Sequence, residues 1–255
     1  MKKYVPSVIL FITFLLIWDL AIRSFNISPF ILPSPKAVFE IFADQHQELL
    51  DATLQSALIA VAGFVLSILI GTIISLLMSQ SKIIELSIYP YAIFLQAVPI
   101  VAIAPVFILW FGAGTKSMIL ISMIISLFPI VTNVSTGLRS IEKDVMEMMW
   151  LYKASRWQIL WKVRFPSAVP NFVIGAKTSA GLAVVGAIVG EYFTGLSGES
   201  RGLAFLIQSN QQNANYPFLF ATSISAALLG FIIFSVVSTL GEWIIKKGHF
   251  ERKVS

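Results

Sequence analysis

Few side chains in this 255-residue chain could carry covalent chemistry. Cysteine is absent, which excludes disulfides, thiolate nucleophiles and thiolate metal sites. His46 and His249 offer the only imidazoles. A Gly195-Leu196-Ser197-Gly198 run could present a serine nucleophile, but that serine needs a histidine base within hydrogen-bond reach. The topology derived below puts His249 on the opposite membrane face and His46 in an external loop, so a hydrolase is not expected. The Gly-x4-Gly-Lys-Ser/Thr phosphate loop is also missing, and the chain is not expected to bind ATP itself. What remains are polar groups set in apolar sequence. Gln96, Asn133, Lys177, Ser179 and Glu191 fall on or beside apolar runs, Asp19 and Arg23 stand four residues apart, and Arg139 to Arg164 holds nine charges in 26 residues.

The elements that must position these groups are membrane spans. Hydrophobic residues make up 57% of the chain and charged ones 12%, against roughly 25% charged in an ordinary soluble domain, which excludes a water-soluble enzyme. The net charge of +5 lies between apolar runs, so it reads as a topology signal rather than a nucleic-acid footprint. After Lys2 and Lys3 the stretch from Val5 is apolar and lacks a small-x-small cleavage site, which predicts an uncleaved first helix. From Asn26 to Pro35, Pro29, Pro33 and Pro35 then forbid a continuous helix, which predicts a loop. Uncharged runs follow at 52–81, 86–115, 117–138 and 202–241, and another at 165–190 is interrupted by Lys177. Each exceeds or approaches the roughly 20 residues that cross a bilayer. Pro90, Pro99 and Pro105 predict a kinked or broken third span, which membranes tolerate where irregular backbone lines a cavity or is buried in protein. The last run cannot hold two spans, because six amides crowd Gln208 to Asn215.

The expected fold is therefore all-α: one polytopic domain over 1–255, with six transmembrane helices at about 5–25, 52–78, 86–110, 117–138, 167–190 and 217–245, and a loop at 139–166. With the N terminus inside, thirteen basic residues (2, 3, 82, 139, 143, 153, 156, 162, 164, 246, 247, 252 and 253) fall in cytoplasmic segments. Only Lys36, Lys116 and Arg201 fall outside. That bias predicts both termini in the cytoplasm. The stretch 147–163 has no Gly or Pro and predicts a helix. Its Met149, Trp150, Trp157 and Trp161 suit either a helix resting on headgroups or an adaptable protein contact, and composition alone does not separate the two.

Spacing does separate them. Glu147-Met148-Met149, three residues, Lys153, nine residues, Val163, one residue and Phe165-Pro166 resembles the EAA loop of binding-protein-dependent ABC importer permeases: E-A-A, three residues, G, nine residues, I-x-L-P. Met-Met replaces Ala-Ala, Lys153 replaces the Gly, and Val163 and Phe165 replace Ile and Leu. Leu32-Pro33-Ser34-Pro35, Ala97-Val98-Pro99, Ala104-Pro105, Leu109-Trp110-Phe111-Gly112, Gly175-Ala176-Lys177 and Glu191-Tyr192-Phe193 are similar, in this order, to segments of the nitrate/sulfonate/taurine and thiamine-precursor subgroup. The resemblance implies a type I (MetI-like) importer permease in a bacterial cell membrane. It also implies a second permease copy, two cytoplasmic ATPases that hold ATP and Mg, and an external solute-binding protein; this chain would bind no cofactor. It further implies that Glu147, Met148, Met149, Lys153, Ala154, Ser155, Arg156, Trp157 and Ile159 couple to the ATPase. There Glu147 would anchor the helix, Arg156 supply a charged contact, and Met148, Met149, Trp157 and Ile159 pack. A secondary transporter or channel without ATPases is the alternative.

Gln96, Pro99, Asn133, Lys177, Ser179 and Glu191 are candidates for the translocation path, since polar groups within spans face a cavity or a partner. The competing reading gives Gln96, Asn133 and Ser179 hydrogen bonds between helices. It lets Lys177 snorkel or hold the loop, and makes Glu191 a solvated boundary residue. Lys177 and Glu191 are 14 residues apart, about 21 Å along a helix, too far to pair.

Overall fold

The computed structural model describes residues 5–194 and 201–248. Ser197, His249 and the basic residues 2, 3, 252 and 253 lie outside them. Eleven α-helices are seen among the described residues: α1 Val5–Phe25, α2 Pro35–Asp44, α3 His46–Gln80, α4 Lys82–Ala97, α5 Ile100–Phe111, α6 Thr115–Arg139, α7 Lys143–Leu151, α8 Arg156–Ile159, α9 Phe165–Thr194, α10 Leu203–Gln212 and α11 Tyr216–Lys247. A π-helical turn, Leu160–Arg164, joins α8 to α9 without a break.

Five helical segments are individually long and apolar enough to cross a membrane: α1, α3, α6, α11 and the run from α8 through α9. The expected third span, 86–110, is two shorter helices broken at Val98 and Pro99. Pro99 has no N–H to continue the ladder, and Val98, ahead of it, is held extended. The pair still runs the length of α6. At one end Glu85 of α4 is ion-paired with Arg139 at the end of α6; at the other, the Ser117 hydroxyl near the start of α6 donates to the Gly112 carbonyl at 2.5 Å.

The centre of the bundle is α3, α6 and α9, and small residues let these helices approach closely. Along α3, Ser56, Ala60, Gly63, Ser67, Gly71, Ser75 and Ser79 recur every three or four residues and all are buried. In lipid the hydrophobic effect does not drive helices together, so such seams rely on close packing and on hydroxyls that find carbonyls across them. Ser122 Oγ donates to the Ala183 carbonyl at 2.8 Å, Ser179 Oγ to that of Ser126 at 2.6 Å and Ser75 Oγ to that of Val131 at 3.1 Å. A Cβ on Gly186 would stand 2.6 Å from Ser122 Cα, and one on Gly190 2.9 Å from Met118 Cα. These pairings run α9 antiparallel to α6, and Gly63 against Ser122 with Gly71 against Ile130 runs α3 parallel to it.

No residue of α1 is buried, and its apolar surface faces outward. Trp18 meets Phe220 and Phe30 meets Tyr216, so α1 ends where α11 begins. The start of α1, the end of α11 and the α7–α8 loop therefore share one end of the bundle. The α2 and α10 helices lie at the other.

Candidate functional site at the loop between α6 and α9

The loop is two helices rather than the continuous helix expected over 147–163. Helix α7 stops at Leu151, and Lys153 takes a left-handed conformation at φ 52°. The Lys153 N–H donates to the Trp150 carbonyl at 2.9 Å and the Ala154 N–H to that of Met149 at 3.0 Å. These are the two reversed bonds of a Schellman ending, in which the left-handed position favours glycine. Ser155 then caps α8: its hydroxyl accepts from the Gln158 N–H at 3.3 Å, while the Gln158 side chain accepts from the Ser155 N–H at 2.7 Å. This reciprocal box satisfies two N–H groups at the new helix start.

The break turns the loop into a projecting knuckle. Leu151, Tyr152, Trp150 and Trp157 are 83, 79, 74 and 70% exposed, and Met148 is also exposed. An apolar ridge of this size is unusual for a solvated loop and marks an interaction surface. Glu147, Lys153, Ser155 and Arg156 are exposed around it, while Met149 and Ala154 are half-buried. Ile159 is buried with Leu160 against the body of the bundle. The ridge thus stands on a rooted base, and Arg164 strengthens that base by donating to the Ser79 carbonyl at the end of α3 at 2.6 Å.

Nearby, Glu85 is held by Lys82 at 3.1 Å and by Arg139, whose guanidinium also contacts Ser135. Partial burial of Glu85 acts to raise its pKa, but hydrogen bonds from Lys82 and Arg139 outweigh it and hold the carboxyl below its ordinary value. The start of α4 is thereby tied to the end of α6.

The polar groups on the spans do not converge on one cavity. Lys177 pairs with Glu242 of α11 at 3.2 Å, close to the loop end of the bundle. Ser179 is buried and bonded to α6, and the Asn133 amide donates to its own helix at the Pro129 carbonyl, 2.8 Å away. Gln96 and Pro99 are exposed beside the break between α4 and α5. Glu191 is fully buried at the opposite end. Its Oε2 accepts from Ser56 Oγ at 2.9 Å and from the Ala204 N–H at 3.1 Å, and Ser56 Oγ in turn accepts from the Leu203 N–H at 2.9 Å. Two of the first N–H groups of α10 are thus capped by side chains of α3 and α9. Sequence reasoning missed Ser56, Glu85, Glu242 and the role of Arg164. Of these Ser56 had a local signal in its place in the small-residue stripe of α3, and Glu85 one in Lys82, three residues before it on the same helix.

Comparison with known proteins bears on what this arrangement serves. A family model described as the binding-protein-dependent transport system inner membrane component matches residues 63–248. The chain is 30% identical to the formylaminopyrimidine transport permease protein of Halalkalibacterium halodurans over 90% of both chains. It is 32% identical to the riboflavin transport system permease protein of Chloroflexus aurantiacus, over 91% of this chain and 86% of that one. It is 31% identical to the putative aliphatic sulfonates transport permease protein of Bacillus subtilis, over 89% and 78%.

Proposed function

Since the chain belongs to the family of binding-protein-dependent transport system inner membrane components and is the membrane-spanning permease subunit of an ABC importer, not an enzyme, we propose that its α7–α8 knuckle couples ATP hydrolysis on a separate subunit to solute passage. The observation that carries this is continuity: α8, the π turn and α9 form one unbroken helical run from Arg156 to Thr194. At 1.5 Å per residue the 39-residue run is close to 60 Å long. A partner that grips the exposed ridge moves the root of α9, and α9 carries that displacement along its seam with α6 to the Glu191–Ser56 contact that holds α10. Energy enters as the difference in the partner's affinity for the two positions of the knuckle.

In this reading the partner is a cytoplasmic ATPase that holds ATP and Mg. Nine of the described basic residues sit at the knuckle end and three at the other, which supports an N-in, C-in orientation in a bacterial cell membrane. Glu147 and Arg156 supply charged contacts beside the ridge, and Met148, Met149 and Trp157 the adaptable surface. Lys153, Ala154 and Ser155 set the angle between the two helices, and Ile159 fixes the base. A second copy of the chain completes the pathway between two bundles, with the α4–α5 break, Gln96 and Pro99 toward it. An extracytoplasmic binding protein docks on the α2/α10 end. Relatives are named for formylaminopyrimidine, riboflavin and aliphatic sulfonates, so the solute is a small polar or anionic nutrient that the binding protein selects.

The test combines uptake with co-purification. Glu147→Ala and Arg156→Ala should leave the permease inserted at normal levels while uptake falls and less ATPase is recovered with it. Normal uptake and normal recovery in both, and in the double variant, would remove the coupling role.

A further inference from the structure

Behind the ridge, between the α7–α8 turn and the end of α3, lies a cavity of about 530 Å³, within the ordinary range of small-ligand sites. Three cations line it, Lys153, Arg156 and Arg164, and no carboxylate does. None of the three has an ion-pair partner among the described residues. Arg164 spends one terminal nitrogen on the Ser79 carbonyl, and its Nε is buried with no acceptor. A guanidinium presents its N–H groups as a rigid fork that matches the oxygens of a phosphate, so three cations around one cavity with no carboxylate among its lining residues point to an oxyanion. The rest of the wall includes Met146, Trp150 and Leu160. Such apolar surface does nothing for a free ion but suits the glycerol and first methylenes of a lipid.

We propose that this cavity binds a phosphate-bearing anion, supplied in the membrane by the headgroup of an acidic phospholipid in the leaflet at the knuckle end. Lys153 and Arg156 stand in the turn and Arg164 at the root of α9, so one bound phosphate ties the knuckle to the lever behind it. Basic pockets between membrane helices recognise acidic headgroups in this way. The site is formed by this chain alone, so its occupancy does not depend on the coupling role proposed above and is measured without an ATPase.

The full-length permease, extracted from an equimolar mixture of phosphatidylcholine and phosphatidylglycerol, is examined by native mass spectrometry for retained lipid. Preferential retention of phosphatidylglycerol is expected, and it should fall about fivefold for each cation removed in Lys153→Gln, Arg156→Gln and the double variant. Arg164→Gln should weaken it further; because that change also loosens α3, the two exposed positions keep the test decisive if it fails to fold. In a second arm the permease sits in pure phosphatidylcholine nanodiscs and inorganic phosphate is added. A saturable fluorescence change that disappears in Trp150→Phe and in the double variant supports the same site with a free anion as its source. Retention that ignores lipid charge or survives the double variant, together with no response to inorganic phosphate, overturns the proposal.

Discussion

Lys153 occupies the left-handed position where the loop turns, and replacing it should show how much of the knuckle is set by backbone geometry. At φ 52° an L-residue carries a penalty of roughly 1–2 kcal/mol that glycine escapes. Glycine gives back roughly 0.5–1 kcal/mol through its greater freedom in the unfolded chain. The balance predicts that Lys153→Gly stabilises the folded turn by about 0.5–1 kcal/mol, a two- to fivefold shift in the local opening equilibrium. Lys153→Val should move the other way by ~1 kcal/mol or more, because a β-branched residue is least tolerated at positive φ. Lys153→Ala keeps the penalty and removes the charge, so it should gain little. Global unfolding of a membrane bundle reports poorly on one turn, and amide hydrogen exchange over 143–164 is the suitable assay. The Lys153 and Ala154 N–H groups, bonded to the Trp150 and Met149 carbonyls, are the direct reporters. Exchange two- to fivefold slower in the Gly variant, near unchanged in Ala and faster in Val is the expected pattern. If Ala slows exchange as much as Gly, the turn is limited by the lysine side chain and the backbone argument is wrong.

Three further outcomes follow from contacts elsewhere. Gly186→Ala forces a methyl against Ser122 Cα and should lower stability by about 1–3 kcal/mol, whereas Gly181→Ala on the same helix meets nothing within 4 Å and should be neutral or stabilising by up to ~1 kcal/mol; thermal unfolding in detergent compares the two. Glu191→Ala orphans the Ala204 N–H and a hydroxyl of the buried cap, at a cost of about 1–3 kcal/mol, and should speed hydrogen exchange across Leu203–Gln212, while Glu191→Gln, which keeps an acceptor oxygen, should retain most of the protection. Because Glu85 is held below its ordinary value, its clasp on Arg139 is fully present above the usual carboxylate range of about 4 and is lost as pH falls through the lowered value. Protection factors at the start of α4, taken relative to the intrinsic exchange rate at each pH, should therefore fall on acidification in the wild type and stay constant in Glu85→Gln.

The spans and the loop were legible because hydropathy and charge act through composition over twenty residues or more, and errors at single positions average out. The finer geometry was not. Reading 147–163 as one helix followed from the absence of Gly and Pro, yet the chain turns at Lys153, a residue with no local preference for the left-handed region. The signal that could have found the turn was two residues on: Ser155 and Gln158 have the spacing of a capping box, which marks a helix start and so implies an end before it. Lys177 with Glu242 and Ser56 with Glu191 are separated by 65 and 135 residues, and nothing local to either partner names the other.

The same contrast bears on how the bundle could move. On α3 and α9 the buried small residues recur every three or four positions, a periodicity readable without coordinates, and they bring three backbones close enough that Gly63 and Gly186 both abut Ser122. A seam held by short side chains and hydroxyl-to-carbonyl bonds has few interlocked large groups to resist a small shift of one helix along another. Polar clasps at the two ends, Arg164 to Ser79 at the knuckle and Glu191 to Ser56 beneath α10, instead have discrete bonded and unbonded states. In the proposed coupling, a force on the knuckle would meet a smooth seam between two such clasps. This division of labour would, in that coupling, let a displacement at one end be registered as a change of contact at the other.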